Sequence, residues 1–133
     1  MIVVFDASTI VGAALKPDSI PRRALLAARK SATIALSEAV YDEIREVLGR
    51  AKFRAALSPR RQADILAMLD EDAIWVEPVT TITDCIDPKD DKYLELALAA
   101  GASVIVSSDK HLLNMHPWRG VAIRRPAGYL TVS

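Results

Sequence analysis

The sequence predicts an α/β fold, a three-layer α/β/α arrangement with a mainly parallel central sheet. Three observations carry that expectation. Short runs of β-branched and aliphatic residues recur without alternating with polar ones, as strands covered on both faces require. Between them lie segments whose apolar residues repeat at helical spacing. The two kinds of segment then alternate along the chain, the order that crossovers between parallel strands demand.

Each element has its own reason. Residues 2–5, Ile-Val-Val-Phe, read as a buried strand that leaves Asp6 at its C-terminal end. Residues 8–15 are small and apolar and stop before Pro17, whose ring disfavours helix in the preceding residue, so a short helix is expected. Pro21 suits a helix start, and Ala24, Leu25 and Ala28 extend an apolar stripe towards Lys30. Thr33, Ile34, Ala35 and Leu36 form the next strand. Ser37 is placed to cap a helix in which Val40, Ile44, Val47 and Leu48 share a face, with Glu43 on it and an end near Gly49.

Ser58 and Pro59 have the residue types of a helix start, and Ile65, Leu66 and Leu69 supply that helix's core face up to about Asp70. Residues 73–77 read as a strand with Trp75 in the core between Ile74 and Val76. A polar loop of Thr and Asp follows, and then Tyr93, Leu94, Leu96, Ala97 and Ala100 build a helix that ends at Gly101. Val104, Ile105 and Val106 form a strand. A short helix over 110–114, a last strand over 121–124 and a final turn from Pro126 complete the chain, with Trp118 expected to pack.

Size and composition bound the rest. The chain has 133 residues, 51% of them hydrophobic, enough for one domain spanning 1–133 with a real core. No run approaches the roughly 18 apolar residues of a membrane span, and no basic leader precedes the first strand, so a soluble cytoplasmic protein without membrane association is expected. The single cysteine, Cys85, has no internal disulfide partner, and no Cys or His cluster has zinc-ligand spacing. With 17 basic and 17 acidic residues the formal charge is zero, yet the charges segregate. Asp84, Asp87, Asp90 and Asp91 crowd one segment, and Arg22, Arg23, Arg29, Lys30, Arg50, Lys52, Arg54, Arg60 and Arg61 occupy the first half.

Ligands of open parallel sheets bind beyond the C-terminal ends of strands, which singles out Asp6 and Asp109. An Asp in that place also caps the following helix, a role that needs no ligand. Glu43 lies one turn from Val40 and Val47, at the edge of an apolar face where a carboxylate needs a partner. Asp87, Asp90 and Asp91 surround a helix start, where carboxylates complement the helix dipole, and their positions alone leave open which of them joins a site. Carboxylates gathered without His or Cys favour a hard cation, Mg²⁺ or Mn²⁺, over zinc.

The order of these segments resembles the PIN-domain family, in particular its prokaryotic toxin-type (VapC-like) members, over nearly the whole chain. VVFDASTIVGAAL resembles the family's first motif and puts Asp6 at its first acidic position with Ser8 beside it. SEAVYDEIREVLGRAKF, residues 37–53, is similar to the second, with the acidic residue at Glu43. DPKDDKYLELALAAGASVIVSSDKHLL, residues 87–113, resembles the third and fourth joined. By that resemblance Asp91 is the third acidic position and Asp109 the fourth, Ser107 takes the hydroxyl place, and Asp87 and Asp90 are auxiliary. Ser107 stands where threonine is commoner, and His111 stands where the family often has an acidic residue.

The resemblance implies a metal-dependent ribonuclease, with Asp6, Glu43, Asp91 and Asp109 around Mg²⁺ or Mn²⁺ and Ser8 and Ser107 hydrogen-bonding the carboxylates or water from behind. It also implies an RNA substrate, a cognate antitoxin that covers the groove, and a homodimer. On chemistry, Lys110 and the Arg50, Lys52, Arg54 cluster are candidate phosphate contacts. A haloacid-dehalogenase-like phosphatase would need its second Asp where Ser8 stands. A phospho-accepting receiver domain would group its acids after the first strand and have no use for Glu43. A silent PIN-like module that binds RNA or antitoxin differs from the enzyme only in lacking metal-dependent cleavage.

Overall fold

The computed structural model describes residues 1–132. Five strands, β1 (Ile2–Phe5), β2 (Thr33–Leu36), β3 (Ile74–Trp75), β4 (Val104–Val106) and β5 (Ala122–Arg124), form one sheet in the order β3-β2-β1-β4-β5. Every pairing is parallel, which goes one step beyond a mainly parallel sheet. Val3, Val4 and Phe5 are all buried, as are Val104, Ile105 and Val106. Successive strand residues point to opposite faces, so full burial of both runs means that helices cover both sides of the sheet centre.

The helices are α1 (Ala7–Leu15), α2 (Ile20–Ser31), α3 (Glu38–Leu48), α4 (Ala51–Arg54), α5 (Pro59–Asp72), α6 (Asp91–Ala100), α7 (Lys110–Leu113) and α8 (Pro126–Val132). Their ends follow capping chemistry. The hydroxyls of Ser19, Ser37 and Ser58 accept from the backbone N–H three residues on and start α2, α3 and α5, each cap contributing about 1 kcal/mol. Lys16, held extended ahead of Pro17, ends α1. Gly101 closes α6 at φ 66°, a left-handed conformation in which a Cβ is strained. On α3, Val40, Ile44 and Leu48 are fully buried, the face expected from their spacing.

Three local expectations are corrected. The strand over 73–77 shrinks to Ile74–Trp75, although Val76 N–H still donates to Leu36 O at 2.8 Å. β3 is the sheet edge, so Trp75 is not core: it is 43% exposed and lies against the Tyr41 ring with centroids 5.2 Å apart. Flanking apolar residues make the run resemble a central strand, and only the strand order shows that it is an edge, where Ile74 and Trp75 are both exposed. The final turn from Pro126 is a helix, α8, packed on α2 and β5, where Tyr129 meets Phe5 edge-on. Helix α4, which the sequence reading had no element for, follows α3. Trp118 is buried, with its indole N–H donating to Asp84 at 2.9 Å.

Candidate functional site

The C-terminal ends of the two central strands, β1 and β4, lie side by side, with Phe5 registered against Val106. Asp6 and Asp109 emerge there, and each caps the helix that follows: Asp6 Oδ1 accepts from Thr9 N–H at 2.8 Å, and Asp109 Oδ1 from His111 N–H at 2.7 Å. Capping and a role in a site are therefore compatible, because a carboxylate has about four lone-pair directions and a cap uses one. Ser107, fully buried, donates its hydroxyl to Asp6 Oδ2 and accepts from Asp109 N–H at 2.9 Å, tying the two strand mouths together. Asp6 is only 4% exposed, and loss of solvation pushes its pKa up against the hydrogen bonds from Ser107 and Thr9.

A third carboxylate enters from the start of α6. Residues Pro88–Asp90 form a single 3₁₀ turn capped by Asp87, whose Oδ1 accepts from Lys89 N–H at 3.0 Å. Asp90, at the end of that turn, is 9% exposed and its Oδ2 is buried without a hydrogen-bond partner. Burial raises its pKa to about 7, helped by the nearby charges of Asp109, Asp87 and Asp6. A buried carboxylate facing three others is costly unless it keeps a proton or meets a cation.

Asp91, placed in the third acidic position by motif resemblance, turns elsewhere. Its Oδ1 accepts from Cys85 N–H at 2.9 Å, and Glu95 one turn later accepts from Ile82 N–H at 2.9 Å, so this edge of α6 fastens the loop before it. Asp90 instead heads the face that continues through Leu94 and Ala97, both buried against the sheet. Consecutive helical residues differ by about 100° in direction, which separates the two aspartates. Their spacing differs accordingly: Asp90, Leu94 and Ala97 fall at i, i+4, i+7, whereas Asp91, itself buried, aligns with the half-buried Glu95 and the exposed Leu98.

Glu43 reaches the same region from α3 with two partners of its own. Tyr93 donates its hydroxyl to Glu43 Oε1 at 2.6 Å, and Lys92 forms an ion pair with Oε2. The Tyr93 oxygen also accepts from Ala7 N–H at 3.0 Å, so one phenol links Glu43 to the residue after Asp6. Burial, and then the bond to Glu43, raises the Tyr93 pKa and keeps it a neutral donor. Lys92 and Tyr93 escaped the sequence reading because their partners lie 49 and 50 residues away.

Ser8 is exposed on the wall of an open groove, and among the described residues the hydroxyl bonded to Asp6 is that of Ser107. The groove runs past Glu43, Asp87 and Asp90 and is also bordered by Arg50, Lys89 and Lys92. Lys52 lies further along, beside Ser8 and Phe53. His111, two residues after Asp109, completes the picture: one donor atom each from Asp87, Asp90 and His111 lie within 4.8 Å of one another. A floor of carboxylates with cations on the rim suits a bound metal ion and a phosphate chain passing over it.

Comparison with known proteins bears on the family and the fold. A family model described as PIN domain matches residues 2–111. No curated protein sequence matches. Among solved structures, VapBC2 from Rickettsia felis, bound to a DNA fragment from its promoter, aligns with TM-score 0.64 at 15% identity, covering 94% of this chain and 98% of that one. PAE2754 from Pyrobaculum aerophilum aligns with TM-score 0.58 at 19% identity, covering 99% of this chain and 89% of the other. At these identities the structures speak for the fold, and the family model, spanning most of the sequence from the first strand through His111, shows that the chain belongs to the PIN-domain family.

Proposed function

We propose that this protein is a divalent-cation-dependent ribonuclease and the toxin of a toxin–antitoxin pair. The observation that carries the proposal is Asp90: a buried carboxylate with an orphan oxygen, set against Asp109, Asp6 and Asp87. The donor set fits Mg²⁺ or Mn²⁺, since oxygen ligands of high charge density suit hard cations and a cation relieves the mutual repulsion. Asp6, Asp90 and Asp109 would hold the ion, with Asp90 in the place that motif resemblance gave to Asp91. When bound, the ion would neutralise charge on a scissile phosphodiester and make water a competent nucleophile.

The remaining work falls to the chain's own side chains. Ser107 holds Asp6 in one orientation. Tyr93 and Lys92 fix the Glu43 carboxylate at the groove wall, where it orients water and can take its proton. Arg50, Lys89 and Lys92 border the groove and hold the RNA backbone without reading bases. An antitoxin partner and pairing of two copies belong to the same proposal. The groove lined by Ile10, Leu25, Leu26 and Ile65 together with Arg22 and Arg29, with Leu26 47% exposed, offers a surface for an amphipathic helix of the antitoxin.

The test is to incubate the purified protein with mixed RNAs and Mg²⁺ or Mn²⁺, beside an Asp6→Asn variant and an EDTA control. Cleavage by the unmodified protein alone is expected; equal cleavage in all three reactions would reject the proposal.

A further inference from the structure

His111 occupies a position that the carboxylate site does not explain. It follows the Asp109 cap on α7, its Nδ1 is 3.8 Å from Asp109 Oδ1, and its side chain is about one third exposed. One donor atom from each of His111, Asp87 and Asp90 fits within a sphere that a single cation can span, with all three within 4.8 Å of one another. Asp90 is also the residue with the buried, unpartnered Oδ2, so the group shares its anchor with the inner carboxylates and contains an acceptor that nothing among the described residues satisfies.

We infer that His111 is a nitrogen ligand at the outer end of the metal centre, beside Asp87 and Asp90, and that it makes the site select Mn²⁺ over Mg²⁺. The inference rests on the proposed metal-dependent reading and deepens it. Magnesium keeps water and hard oxygen ligands and gains little from imidazole. Manganese is a first-row transition ion that accepts an imidazole nitrogen more readily than magnesium does, so one such donor among carboxylates tilts the preference between these two ions. Asp87 can contribute because its capping bond to Lys89 uses only one lone pair of Oδ1.

The other histidine provides the control. His116 Nδ1 accepts from Ile123 N–H at 2.9 Å, an engagement that locks its ring into the β5 side of the fold. Pulsed electron paramagnetic resonance on the Mn²⁺-loaded, untagged protein should therefore show imidazole nitrogen modulation that survives His116→Asn and disappears in His111→Ala. Calorimetric titration with each metal should show His111→Ala weakening Mn²⁺ binding by about tenfold or more, and Mg²⁺ binding by less than about threefold. Bound Mn²⁺ without nitrogen modulation, or modulation that persists in His111→Ala, would overturn the inference while leaving the carboxylate site intact. Failure of Mn²⁺ to bind at all would overturn both it and the metal-dependent reading.

Discussion

The two walls of the groove treat their carboxylates in opposite ways. Around the strand mouths and the start of α6, Asp6 and Asp90 are buried among like charges, with pKa values pushed up and, among the described residues, no Lys or Arg ion pair. Across the groove on α3, Glu43 is partly exposed and already compensated by Lys92 and Tyr93. One wall is a set of charges that lacks a cation; the other carries its cation within the chain. An arrangement of this kind separates holding a metal from orienting what the metal acts on, since only the uncompensated wall gains strongly from an added ion.

The sharpest way to break that comparison is on the first wall, where neighbours in sequence have different work. Asp90→Asn should reduce metal-dependent RNA cleavage on the order of a hundredfold or more, because it removes a charge that nothing else replaces. Asp91→Asn should stay within about threefold of the unmodified protein, since an amide oxygen still accepts from Cys85 N–H. Initial rates at saturating Mn²⁺ distinguish them, and a reversed ranking would return the third acidic position to Asp91.

A smaller effect concerns stability without metal. The folded-state pKa of Asp90 is raised to about 7, from about 3.9 in an unfolded chain, so the folded state binds the proton more tightly. The stability this confers is complete below about pH 4 and is lost as the pH rises through about 7. In chelator, Asp90→Asn should therefore melt higher than the unmodified protein near pH 8, by ~5 °C, and lose that advantage near pH 5. Parallel melting curves across this range would remove the uncompensated charge on which the comparison depends.

The smallest effect lies on the other wall. A double-mutant cycle of Glu43→Gln and Lys92→Met should return a coupling of about 0.5–1 kcal/mol in stability, the range for a partly exposed ion pair. A coupling near zero would mean that Tyr93 alone fixes Glu43, sharpening rather than removing the contrast.

Much of this was legible in advance. Strand runs without alternation, Ser and Pro at helix starts, and aspartates directly after strands are local signals, and they located β1, β2, β4, β5 and every helix but α4 and α8, with Asp6 and Asp109 at the mouths. Helical register adds the alignment of Asp90 with Leu94 and Ala97, the basis on which Asp90 is proposed beside the Asp91 that motif resemblance names. Trp75 misled because edge and centre are properties of strand order, and residues 73–77 contain no information about their neighbours.

By itself, then, the sequence determined the fold class, the Ser37 and Ser58 caps and the placing of Asp6 and Asp109 after strands, because each depends on residues within a turn or a strand of one another. Tertiary structure decided the rest. The bond from Ser107 to Asp6 spans 101 residues, the partners of Glu43 come from α6, and His111 meets Asp87 and Asp90 only where α7 and the 3₁₀ turn converge. Charge compensation acts through space, and which carboxylate has a partner and which still lacks one is set by the packing of helices on the sheet.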